Sequence, residues 1–300
     1  VTPSQILDFL EIFTGDAFDV PPEIAISYFQ AKGLRPTFSY ADMLGDAHNQ
    51  AFTVAKMMDL DLLAYTRKSL DDALNNGESY NDWRRNLEPT LKKAGWWGRD
   101  ADGNQLGSPS RIQNIFRTNM QSAYAVGQWD EIESQADIAP YLMYDAIDDT
   151  VTRPEHRAWD RKVLPVKHNW WKTHFPPNGF NCRCSVIQMD EDEAEALGLQ
   201  IDTRAPYNGS YTWTNPRTHI EHKIPNGLDP GFNRNPGMPF LKHLQRLAAE
   251  KIVALPDDMS VVAKRALAPV LDAEILEEVA QAAIAAAATD AAISQQSANP

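Results

Sequence analysis

The chain has 300 residues, 43% of them apolar and 23% charged, with a formal net charge of -13. That length supports one large core or two modest ones, and the charge excludes a protein whose whole surface grips nucleic acid, because phosphate contacts need clustered Lys and Arg. No apolar run is long enough to cross a bilayer, no basic-then-apolar leader is present, and two cysteines without an export signal point to a reducing compartment.

The first hundred residues read as helical. Pro21-Pro22 starts and Gly33 stops a helix over residues 24–31. Between 41 and 76 the apolar residues recur at three- and four-residue steps, through Met43, Ala47, Ala51, Val54, Met58, Leu62, Tyr65 and Leu70. That spacing predicts one long helix ending at Gly77. Ser79 with Asp82 marks another helix start, after which Trp83, Leu87 and Leu91 stack one turn apart. Loops follow at 96–98 and 102–104. Ser108-Pro109 then opens a second long helix carrying Ile112, Phe116, Met120, Ala123 and Gly127 on one stripe.

Beyond it the texture changes. Residues 141–147 and 182–189 are strand candidates, and 190–197 is a short helix closed by Gly198. Prolines at 206, 216, 225, 230, 236 and 239 make 203–239 loop-rich, with a possible strand at 218–224. Helices are expected over 240–254, 261–268 and 274–288, and the polar residues 294–300 read as a disordered tail. The fold class is therefore α+β. A helical N-terminal region (1–107) leads into a small mixed domain (108–240) and a helical C-terminal region (241–300).

Both cysteines fall in the mixed part, one residue apart, directly after Pro176-Pro177. In a strand, Cys182 and Cys184 would project from one face together with Val186. Three chemistries suit such a pair. The first is a tetrahedral zinc site, with His156, His174 or His168 supplying imidazoles. The second is packing of two reduced thiols as small apolar groups. The third is a cysteine nucleophile activated by a histidine and oriented by Asp149 or Asp160. A disulfide between them would close a small strained ring.

From Arg153 to Arg183 seven basic residues (Arg153, Arg157, Arg161, Lys162, Lys167, Lys172, Arg183) face two acidic ones, a difference of +5. Trp159, Trp170, Trp171 and Phe175 are interleaved with them, a composition suited to nucleic-acid or partner contact. The bland alternative is core aromatics with solvated charges. Acidic stretches on either side, at 145–149 and 190–195, offer intramolecular partners. His219 and His222, three apart on a strand, would point to opposite faces, and His48 and His243 stand alone. No P-loop, dinucleotide fingerprint, zinc-protease helix or serine-nucleophile elbow occurs.

In order, Thr152-Arg153-Pro154-Glu155-His156-Arg157-Ala158-Trp159-Asp160, Trp170-Trp171-Lys172-Thr173-His174 and Pro176-Pro177-Asn178-Gly179-Phe180-Asn181-Cys182-Arg183-Cys184 resemble the central domain of the phage Mu F-like minor head proteins. Segments 25–32, 51–71, 83–98 and 111–127, and the loop 229–237, are similar to the same branch of the family, so the resemblance covers roughly residues 20–240. It implies a structural protein of a tailed-phage head and no enzyme. Such a protein would be present in several copies in the virion, at the portal vertex or capsid interior, after assembly in the host cytoplasm. The implied partners are portal protein, major capsid protein and packaged double-stranded DNA. The implied roles are head assembly and DNA packaging or ejection. Members from Gram-positive phages look like zinc knuckles, with a His three residues before the first downstream Cys. Gly179 stands there in this chain, so the resemblance implies either a vestigial site or one in which His156, Cys182 and Cys184 are completed by His174. Two other classes stay open: a DNA-binding protein delivered with the genome, and a metal- or cysteine-dependent enzyme, because domains of this family are also fused to toxin modules. No effector domain is recognisable after residue 240.

Overall fold

The computed structural model describes residues 23–45, 47–206 and 209–238, with scattered positions beyond. Residues 19–239 form one compact unit, and the fold and sites described below lie in it. The architecture is α+β.

Helix α1 (Glu23–Gln30) buries Ala25, Ile26, Tyr28 and Phe29. The single helix expected over 41–76 is instead several elements. A 3-10 turn (Tyr40–Asp42), a four-residue helix α2 (Ala47–Gln50) and strand β2 (Ala51–Phe52) precede helix α3 (Leu60–Asn76). Strand β2 pairs in parallel with β1 (Gly33–Leu34). Helix α3 begins only at Asp59, whose carboxylate accepts from the Asp61 and Leu62 amides. A capping carboxylate satisfies orphan amides wherever it sits, so the cap outweighed the continuing apolar period. Gly77 closes α3 in the left-handed region at φ 61°. Helix α4 (Tyr80–Lys93) is capped by Ser79 and buries Trp83, Leu87 and Leu91.

Helix α5 (Pro109–Gln135) is the spine of the unit and packs against α1, α3 and α4. A three-stranded antiparallel sheet stands beside it in the order β4-β3-β5, with β3 at Tyr141–Asp145, β4 at Val163–Pro165 and β5 at Ser185–Met189. Two α5 glutamines hold the Cys segment and β5 to the helix. Gln121 Nε2 donates to the Cys182 carbonyl at 2.7 Å, and Gln128 Nε2 donates to that of Val186 at 3.1 Å.

Between β3 and β5 lie two short helices, α6 (Pro154–Trp159) and α7 (Trp171–His174). Their aromatics fill the core against the sheet, with Trp159, Trp171 and Phe175 fully buried around Tyr144. Large rings each remove a great deal of apolar area from water, so this cluster is the main fixed body of the unit. Of the two readings of the interleaved aromatics, core packing is the one found. Helix α8 (Glu191–Ala196) follows β5 as expected, capped by Asp190.

The loop-rich stretch contains a hairpin, β6 (Ser210–Thr214) with β7 (Glu221–Pro225). Its second strand overlaps the one expected, and its first was missed. His219 lies in the turn at φ 57°, whereas His222 is on β7 opposite Trp213. The helices expected at 240–254, 261–268 and 274–288, His243 and the tail lie outside the described residues, save for scattered helical positions such as Ala249, Ile252 and Ala263.

Candidate functional site

Cys182 and Cys184 do not lie on a strand. Strand β5 begins at Ser185, and both cysteines sit in the loop that enters it. Asn181 takes a left-handed backbone at φ 59° just before them. The thiols nevertheless converge, through the turn and not through pleat alternation. They are free, Cys182 buried and Cys184 half-buried.

The group they meet is His156, 2% exposed on α6. Its Nδ1 lies 3.3 Å from Cys184 Sγ and 3.8 Å from Cys182 Sγ. The ring stacks on Trp159, centroids 5.0 Å apart, and its Nε2 is 2.8 Å from the Gly227 carbonyl oxygen. A carbonyl only accepts, so Nε2 carries the hydrogen and Nδ1 presents a lone pair to the sulfurs. Gly227 makes this approach possible. Its φ is +90°, and a Cβ there would lie 2.5 Å from the Trp159 ring.

The ligand atoms of His156, Cys182 and Cys184 all lie within 4.8 Å of one another. His174 is not among them. It is buried with its Nδ1 2.7 Å from the Thr173 hydroxyl and its ring stacked on Trp170 at 4.6 Å. Burial lowers its pKa to about 4. His168 is also turned elsewhere, its Nδ1 accepting from the Trp170 amide. A His at position 179 would have to displace the Arg153–Asp229 pair, since a Cβ on Gly179 would come within 2.2 Å of the Arg153 guanidinium and 2.4 Å of the Asp229 carboxylate.

Hydrogen bonding from Cys184 holds the Cys182 thiol below the usual range, aided by His156, and the same bond pushes Cys184 up. The buried hydroxyl of Tyr144 on β3 completes the wall. Burial and the two cysteines raise its pKa, and it accepts from Asn178 Nδ2 at 2.9 Å. Asn178 also donates to the His174 carbonyl. Tyr144, Asn178 and Gly227 were not singled out from the sequence. Only the Pro-Pro-Asn-Gly turn and the loop at 229–237 signalled that their segments matter.

Asp149 and Asp160, the acids a cysteine nucleophile would use to orient its histidine, are engaged elsewhere. Asp149 pairs with Arg183 at 2.7 Å, which holds its carboxyl well below the usual range, and Asp160 accepts from the Ala146 amide. The orienting group of His156 is a backbone carbonyl.

Four of the seven basic residues are ion-paired. Arg153 pairs with Asp229, Arg157 with Asp148, Lys162 with Asp202 and Arg183 with Asp149. Arg161 donates to the Leu197 carbonyl at 3.3 Å. Lys167 and Lys172 are exposed and have no ion-pair partner among the described residues. The acidic stretch at 145–149 therefore absorbs part of the local positive charge. An open cleft of about 470 Å³ runs over the cluster, lined by His156, Cys182 and Cys184 together with Arg117, Arg153 and Arg183. No described helix is long and apolar enough to cross a membrane.

Comparison with known proteins agrees with the order of motifs. Residues 65–187 match the family model described as "Phage Mu protein F like protein". The chain is 34% identical over 300 residues to the putative capsid assembly protein F of Escherichia phage Mu, covering 93% of this chain and 64% of that protein. It is 37% identical over 171 residues to the Mu-like prophage FluMu F protein of Haemophilus influenzae, covering 56% of this chain and 41% of that protein. The chain thus spans less than two thirds of the length of either relative. No solved structure matches it. The matched span runs from within α3 to within β5 and includes His156, Cys182 and Cys184, and over it the chain is similar to the phage Mu F-like family.

Proposed function

We propose that this chain is a structural component of a tailed-phage head that acts in head assembly and turns over no substrate. The observation that carries the reading is the 34% identity spread over 93% of the chain to a protein named for capsid assembly. In this reading the protein sits in several copies at the portal vertex or on the inner capsid, bound to portal or major capsid protein. It serves DNA packaging or ejection after assembly in the host cytoplasm. A density map of intact particles tests the location, and absence of this chain from mature heads would overturn it.

The His156–Cys182–Cys184 cluster serves in this reading as a zinc-held staple. It ties α6, the loop entering β5 and the turn at Gly227 to one another. The donor set fits the metal. A metal-bound histidine is usually oriented in this way, by a carbonyl or carboxylate that accepts from its other ring nitrogen. Tetrahedral zinc with bonds of roughly 2.0–2.3 Å places sulfur and nitrogen ligands about 3.6 Å apart, and the observed separations are 3.3 and 3.8 Å. When bound, zinc would supply cross-linking and a Lewis-acid charge, with the fourth position left to a group entering from the cleft.

Replacing both cysteines by serine tests role and reading together. A structural staple predicts poor folding and low incorporation into particles. Normal incorporation with abolished infectivity would turn the assignment toward a processing enzyme. DNA contact is the second reading. Its charge rests on Arg117, Lys167 and Lys172, which have no ion-pair partner among the described residues. Binding to DNA fragments that does not weaken as salt rises would remove it.

A further inference from the structure

A second cavity, of about 300 Å³, lies between the α1–β2 segments, helix α5 and the loop around Arg234, and shares only Phe180 with the cleft over the Cys/His cluster. Two cationic side chains and one imidazole line it from different elements: Lys32 after α1, Arg234 in the Gly/Pro-rich loop and His48 on α2. Arg111 of α5 lines it too, with its guanidinium taken up by the carbonyl oxygens of Gln105, Leu106 and Ala55. None of the described lining residues is acidic.

Lys32 is buried, and Arg234 and His48 are half-buried. Lys32 is 5% exposed, with its ammonium 4.2 Å from the Tyr28 ring centroid. Tyr28 donates to Asn49 Oδ1 at 2.9 Å, and Arg234 donates to the same oxygen. Two buried donors, Arg234 Nε and Asn49 Nδ2, have no hydrogen-bond partner among the described residues. Mutual repulsion is felt across the group. Burial first, then Arg234 and Lys32, hold the His48 pKa down to about 3. Buried cations with no acidic partner among the described residues cost folding free energy, and an anion in the cavity beside Lys32 and Arg234 would relieve that cost.

The other walls extend the argument. Asn114, Thr118 and Ser122 fall four residues apart on one face of α5 and offer neutral donors to the cavity. Phe180 and Phe232, in edge contact at 4.9 Å, supply an apolar side. We infer that this cavity binds a small organic anion, with a phosphomonoester or carboxylate group held by Lys32 and Arg234 and its apolar body against Phe180 and Phe232. The inference does not depend on the role in head assembly.

Calorimetric titration of the full chain with phenyl phosphate, benzoate and inorganic phosphate, against chloride at equal ionic strength, tests it. One of the two aromatic anions should bind saturably and roughly tenfold more tightly than inorganic phosphate, as burial of a ring predicts. The head group is identified by which of the two binds. Arg234→Gln and Lys32→Met should each weaken that binding by about tenfold or more, because each removes a charge-assisted contact. Circular dichroism of both variants checks that they fold. Thr118→Val, a milder change on the α5 wall, gives a second arm should either fail. Absence of saturable binding by either aromatic anion would overturn the inference. So would binding that survives both charge variants but is lost in Arg117→Gln, which would place the anion in the other cleft.

Discussion

The Nε2 of His156 lies 2.8 Å from the carbonyl oxygen of Gly227, seventy-one residues along the chain, and that one bond decides which nitrogen faces the thiols. The contact requires a residue without Cβ at position 227, because Trp159 and Glu155 fill the space beside it. Gly227→Ala should therefore destabilise the chain by about 2 kcal/mol or more, from a strained left-handed backbone and a displaced ring. Denaturant unfolding measures it. A midpoint within error of the parent would show that the turn relaxes and that the carbonyl contact is dispensable.

Zinc analysis of purified chain should return about one ion per chain, falling to near zero in His156→Ala and Cys184→Ser. His174→Phe should retain the metal, since its ring is stacked on Trp170 and turned away from the sulfurs. Loss of zinc in His174→Phe would restore His174 as the fourth ligand. No zinc in the parent chain would leave thiol packing as the role of the pair.

Position 179 offers a separate test of packing. Its Cβ would strike the Arg153–Asp229 pair, and Asp229 Oδ2 also accepts from the Phe180 amide at 2.8 Å. Gly179→Ala should cost about 1–3 kcal/mol by forcing that pair apart and leaving a polar group unsatisfied. Gly179→His should be worse, and should not create a tighter metal site. Higher zinc affinity in Gly179→His would mean that the loop can reopen to admit a His ligand at that position.

Acid stability should report His174. The unfolded chain takes up this proton near pH 6.5, whereas the buried ring holds out to about 4. Its contribution is complete above about pH 6.5 and is lost as pH falls toward 4, a change of about 3 kcal/mol over the window. His48, held to about 3, adds to the same slope. His174→Phe keeps the stacking and removes one titration, so its stability should fall less between pH 6.5 and 4. An unchanged slope would show that other groups control acid unfolding.

Local signals carried a large part of this protein. The caps at Ser79 and Ser108, the stop at Gly77, the stripe on α5, strand β3 and helix α8 were all legible, because each depends on neighbours within a few residues. The family was legible too, since its motifs are contiguous. The break before α3 was not, because an apolar period continued through a segment that a carboxylate at Asp59 and pairing with β1 had cut up. At the site, sequence brought out the residue types but not their arrangement. The cysteines meet through a loop and not a strand, and His156 is oriented by a carbonyl 71 residues further along the chain. His174, close in sequence and chemically suitable, is claimed by Trp170 and Thr173. Which imidazole reaches the sulfurs was settled by aromatic packing and by a glycine's missing Cβ, both long-range steric facts that residue spacing does not encode.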